Sequence, residues 1–170
     1  MRSRKISLRQ ATRIGEQETI ALVGAGGKTS VLFGLAREFD GPVLLSATTH
    51  LGLEQVTFAD RHITVVDEAD LLQLELEVPN GVSLLMGEET DDARIAGLDD
   101  GLINALYDLA QKHQVPLIIE ADGARMLPLK APAGHEPPIP DFVDHVVVIA
   151  GLSGLGRQIR DVVHRPDRFG

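Results

Sequence analysis

The chain has 170 residues, the size of one compact domain, and its 44% hydrophobic content supplies a core and excludes wholesale disorder. The formal net charge of −9 excludes a general nucleic-acid binder, whose basic face must displace phosphate counterions. With no cysteine and no tryptophan, disulfide frameworks, zinc–thiolate centres, thiol nucleophiles and aromatic platforms for single strands are excluded as well. No apolar run reaches the length of a membrane span, and no signal-peptide core follows the basic residues Met1 to Lys5, so a soluble cytoplasmic protein without membrane partners is expected.

A short helix is expected over Leu8 to Ile14. Thr19 to Val23 reads as a buried strand that ends at a glycine cluster, after which Val31, Leu32, Leu35, Ala36 and Phe39 recur at helical spacing. Further strands are expected at Val43 to Ala47, Ile63 to Val66 and Val82 to Met86, with a helix capped by Asp67 and carrying Leu71, Leu72 and Leu74 before the last. Glu88, Glu89, Asp91 and Asp92 read as a solvated acidic loop. Asp99 caps a longer helix with Leu102, Ile103, Leu106, Leu109 and Ala110 on one face. Pro116 to Glu120 and His145 to Ile149 are the most hydrophobic runs and read as strands buried on both faces, and His62 and His113 read as exposed. The rhythm predicts an α/β fold, a mostly parallel sheet with helices on both faces, as a single domain over 1–170. Its longest irregular segment, Ala121 to Asp144, is rich in proline and glycine, and a stretch of that length in a compact domain carries function or moves. Gly151 to Gly156 reads as a flexible connector, with a second backbone-amide loop as the alternative.

Gly24-Ala25-Gly26-Gly27-Lys28-Thr29-Ser30 joins the first strand to the first amphipathic helix, the context a phosphate loop requires. Glycines let successive N–H groups turn inward toward phosphate oxygens, and the helix start adds its positive dipole end. Lys28 supplies a point charge and Thr29 a hydroxyl for Mg²⁺. The loop reads G-x-x-G-K-T, two residues shorter than the standard pattern, because position 22 is leucine. It is similar in that respect to the compressed G-T-x-G-K-T loop of the Mur ligases, which suggests acyl-phosphate activation as one variant of ATP chemistry.

At the end of the fifth strand stand Glu120 and Asp122, two residues apart and therefore on one face, where a carboxylate near a phosphate loop holds Mg²⁺. The second strand ends in Thr48, Thr49 and His50, at the carboxyl edge where α/β proteins bind ligands. The proline-rich run from Leu129 to Pro140 carries Lys130 for an anion and His135 and Glu136 for proton transfer or metal, and is expected to face a second substrate.

In this order the glycine loop, Thr48-Thr49-His50, Glu120-Ala121-Asp122-Gly123-Ala124, Leu129-Lys130-Ala131-Pro132, His135-Glu136-Pro137 and His164-Arg165-Pro166 resemble the YqeC family of selenium-dependent hydroxylase accessory proteins. The resemblance runs from the first strand to the end of the chain. The loop and acid residues predict a P-loop NTPase-like domain that binds ATP or GTP with Mg²⁺, and the resemblance implies a nucleoside-triphosphate-binding accessory factor for maturation of molybdenum hydroxylases, with such an enzyme or its cofactor-maturation proteins as partners. Family members continue further, so a domain truncated at its C-terminus is expected. A non-catalytic carrier of a phosphate-bearing ligand such as a pterin cofactor is the competing expectation.

Overall fold

The computed structural model describes residues 6–74, 76–123, 127–134 and 136–168. Helix α1 (Leu8–Thr12) opens on a capping box, in which Ser7 and Gln10 each accept the other's backbone N–H. Strand β1 (Thr19–Gly24) leads through the glycine loop into α2 (Lys28–Ala36) and β2 (Val43–Ala47). The short β3 (Leu51–Gly52), a 3₁₀ segment over Leu53–Phe58, β4 (Arg61–Thr64), a second 3₁₀ segment over Glu68–Leu74 and β5 (Val82–Met86) follow. Two further short strands, β6 (Glu89–Thr90) and β7 (Arg94–Ile95), precede α3 (Asp100–His113), β8 (Leu117–Glu120), β9 (Leu129–Lys130) and β10 (His145–Ile149). The chain closes with α4 (Ile159–Val162) and β11 (Val163–His164).

Six strands form the central sheet in the order β10-β1-β8-β2-β5-β4, and every neighbouring pair in it is parallel. Alternation along each strand sorts the apolar residues between two cores. Ile20, Leu22, Leu45, Leu84 and Ile118 pack on one face against Leu32, Leu35 and Ala36 of α2. Ala21, Val23, Leu44, Leu85, Leu117 and Ile119 pack on the other against Ile103, Leu106, Leu109 and Ala110 of α3. The expected parallel α/β architecture with a helix on each face is therefore present. Among the described residues no helix is long and apolar enough to cross a membrane.

Four local readings need correction. The first concerns β10, an edge strand whose burial alternates. Val147 and Ile149 pack inward, while Val146 and Val148, on the other face, are 46% and 74% exposed, and among the described residues β1 is the one strand paired with β10. The second concerns the segment after Asp67, which winds as 3₁₀ rather than α. Asp67 accepts the Ala69 N–H, and Asp70 accepts those of Val66 and Asp67, so side chains tighten the turn and bury Leu71 and Leu74, three apart, while Leu72 stays exposed. The third is the acidic run, which contains β6. This strand pairs antiparallel with β7, and β7 with β3, in a small sheet anchored by buried Ile95 and Leu51. The last concerns His62 and His113, each of which buries Nε2 without a hydrogen-bond partner; burial holds the His62 imidazole below its ordinary pKa.

Candidate functional site

The carboxyl ends of β1, β2 and β8 meet at one edge of the sheet. Residues 24–27 leave β1 as a tight arc pressed against the end of β10. Gly24 has φ +94°, and a Cβ there would lie 2.2 Å from the Ile149 carbonyl oxygen. Gly26 has φ +75°, and a Cβ would lie 2.6 Å from the Gly151 Cα. Side chains are excluded at both positions by backbone conformation and by space. The Gly151 run is thus packed against the glycine loop, with Gly151 N–H donating to the Pro128 carbonyl at 2.7 Å.

Gly27 caps α2 without a side-chain hydrogen bond. The first N–H groups of that helix, those of residues 27–30, have no intrahelical acceptor and open with the positive end of the helix dipole onto a cleft of about 790 Å³. Two amides of the arc are already used: Gly24 N–H donates to Asp122 Oδ2 at 3.3 Å, and Ala25 N–H to the Ile149 carbonyl at 2.8 Å.

The Lys28 side chain turns back into the arc and is buried. Its Nζ donates to the Gly24 carbonyl at 3.2 Å and lies 3.5 Å from both Glu120 Oε1 and Asp122 Oδ1. Thr29 Oγ1 donates to Glu120 Oε2 at 3.1 Å. Both acids are buried, so the alternation read from the sequence does bring Glu120 and Asp122 to one cation. Burial raises the Glu120 carboxyl pKa, and the charge of Lys28 and the Thr29 hydroxyl offset part of the rise. Asp122 Oδ1 has no hydrogen-bond partner, although its residue is 3% exposed.

Asp122 Oδ2 also takes Lys130 Nζ at 3.0 Å. Lys130 donates to the Gly123 carbonyl at 2.8 Å and pairs with Glu136 Oε2 at 2.9 Å. Glu136 in turn holds Arg165 through both carboxylate oxygens, at 2.5 and 2.7 Å. Arg165 and Lys130 hold the Glu136 carboxyl well below the usual carboxylate range, and Glu136 raises Arg165. The side chains of Lys130 and Glu136 therefore turn into an ion-pair chain instead of facing a second substrate. His135 lies outside the described residues.

Across the cleft, Thr49 and His50 at the end of β2 form a second wall with Gln55, Glu54, Asp92 and Arg94. Thr48 sits deeper: its N–H donates to the Glu120 carbonyl at 3.0 Å, and its hydroxyl is buried without a partner. Arg94 donates to the His50 carbonyl at 3.2 Å. Ser30 lines the cleft beside Thr29. Two arginines were not singled out as site residues from the sequence. Arg165 belongs to the His164-Arg165-Pro166 run, whose sequence assigns it no role, and Arg94 lies on a strand of two residues, too short to leave a periodic signal.

The fold and this edge define a parallel α/β domain with a glycine loop and an acidic strand end at one ligand-sized cleft. A family model described as YqeC protein matches residues 20–167, and the chain belongs to that family. It is 36% identical over 158 residues to a protein of Escherichia coli (strain K12) named "Uncharacterized protein YqeC". The match covers 88% of this chain and 58% of that relative, so the chain spans little more than half the relative's length. No solved structure matches.

Proposed function

We propose that this domain is P-loop NTPase-like and binds the phosphates of ATP or GTP at the glycine loop with Mg²⁺. The observation that carries the reading is Lys28: a buried ammonium at a helix start with no side-chain cap, facing two buried carboxylates, on a residue that lines the cleft. The free N–H groups of residues 27–30 would bind phosphate oxygens, and Lys28 would swing from Gly24 and the acids toward them. Thr29 Oγ1, Glu120 and Asp122 form an all-oxygen donor set suited to a hard divalent cation, and Asp122 Oδ1, which is ion-paired with Lys28 but accepts no hydrogen bond, fits that role. Mg²⁺ bound there would neutralise charge on the phosphate oxygens. Lys130 and Glu136 hold Asp122 in place, and the wall with Thr49, His50 and Arg94 would face the acceptor of the phosphoryl group, water in hydrolysis or a carboxylate in acyl-phosphate formation, with the nucleoside diphosphate as leaving group. The cellular role, maturation of selenium-dependent molybdenum hydroxylases through contact with such an enzyme or its cofactor-maturation proteins in the cytoplasm, rests on the family resemblance.

One observation favours the carrier reading. The loop is short and two of its amides are engaged internally, which leaves a smaller cradle, matched to a single phosphate such as that of a pterin cofactor. Titration of ATP, GTP and a pterin phosphate, each with and without Mg²⁺, followed by a phosphate-release assay, separates the two. Mg²⁺-dependent turnover supports the catalyst; pterin-phosphate binding without turnover supports the carrier.

A further inference from the structure

The ion-pair chain beyond Asp122 runs through Lys130, Glu136 and Arg165, none of which lines the cleft. Lys130 has three N–H donors and three acceptors, Asp122 Oδ2, the Gly123 carbonyl and Glu136 Oε2, and its side chain is 2% exposed. It has no donor to spare, and a buried ammonium that lost one acceptor would carry an uncompensated cost. Glu136 Oε2 is shared: it accepts from Ala133 N–H at 3.3 Å and Arg165 Nη1 at 2.5 Å, and it pairs with Lys130. Backbone pairing keeps these partners together. Parallel strands β9 and β11 place Lys130 opposite His164, the residue before Arg165, and Ala131 N–H donates to the His164 carbonyl at 3.0 Å. At the other end, Asp122 Oδ2 accepts the N–H of Gly24, the first residue of the glycine loop.

We propose that Arg165 is a positioning residue for the glycine loop. Acting through Glu136 and Lys130, it fixes the Asp122 carboxylate against the Gly24 amide, which makes the segment 159–168 a required part of the site. The consequence for nucleotide binding rests on the reading above; the positioning itself does not. A plain staple between two loops would use the same Glu136–Arg165 pair, but it would work equally well with the charges exchanged. Here the exchange puts a cation against Lys130, so position 136 must be anionic.

The test is amide hydrogen exchange of Gly24 in the full chain without ligand, with Ala21 and Leu22 of β1 as internal references. Arg165→Ala is expected to speed Gly24 exchange about tenfold with the references unchanged, because a charge-assisted bond is loosened. Arg165→Lys, which keeps the charge but loses the planar fork, carries the same test if the alanine variant does not fold, with an increase of about threefold. The double variant Glu136→Arg, Arg165→Glu is expected to stay as fast as Arg165→Ala. Parent-like Gly24 exchange in that double variant, or in both single variants, overturns the proposal. Parallel titration with Mg·ATP and Mg·GTP is expected to show weaker binding wherever Gly24 is faster. If the parent binds neither nucleotide, the nucleotide reading fails, while the exchange data still decide the positioning.

Discussion

The two walls of the cleft are built on opposite principles. On the glycine-loop side, Lys28 and Glu120 line the cleft, and their buried side chains are linked at 3.0–3.5 Å to those of Asp122 and Lys130, which do not line it. On the facing side, His50, Glu54, Asp92 and Arg94 are exposed and of mixed sign. Buried charge is costly unless paired, so the first wall holds its geometry before any ligand arrives. The second wall stands on short strands and turns, and its charged side chains are exposed. On the function proposed above, the first wall would set the chemistry and the second the choice of partner molecule.

The sharpest break of this comparison removes a buried cation. Lys130→Met leaves Asp122 and Glu136 without their shared ammonium and should cost roughly 3–5 kcal/mol in urea unfolding, as expected when one partner of a buried pair is lost. Next in size, Glu120→Gln and Asp122→Asn should each reduce Mg²⁺-dependent turnover at least tenfold more than nucleotide affinity, as read from kcat against a separately measured Kd. Full activity in both would remove their metal and catalytic roles.

The pH dependence of stability separates Glu120 of the first wall from Glu136 of the ion-pair chain behind Lys130, because the two glutamates shift in opposite directions. Glu136 is depressed, so its ionised form stabilises the fold above the ordinary glutamate range near pH 4.3, and that contribution is lost as pH falls below it. Glu120 is raised, so stability declines as pH climbs from the ordinary value through the raised one. Thermal melts should therefore show that Glu136→Gln flattens the acid-side loss and that Glu120→Gln flattens the decline above it. The smallest effect belongs to the facing wall: Arg94→Ala should change stability by less than about 1 kcal/mol, while altering the response to a second substrate.

Much of this architecture was legible in the sequence, because β1, β2, β5 and β8 are apolar runs and α2 and α3 repeat at helical spacing. The glycine loop and the acid pair were legible because both lie at strand ends, where chain order alone fixes their edge of the sheet. The Lys130–Glu136–Arg165 chain was not, since it depends on β9 pairing with β11, two strands of two residues each with no periodicity to read. The valines of β10 look the same in sequence whether the strand is central or at an edge. Only the strand order, set by long-range pairing, makes the difference.

The central claim, that the glycine loop is a phosphate site centred on Lys28, is tested most directly by calorimetric titration of ATP and GTP, with and without Mg²⁺, into the parent and Lys28→Ala. Saturable, Mg²⁺-dependent binding of at least one nucleotide to the parent is expected, weakened in the variant by about 1.5–3 kcal/mol, the worth of a charged hydrogen bond, with backbone donors retaining the remainder. Equal affinity in parent and variant, or no binding of either nucleotide to the parent, would contradict it.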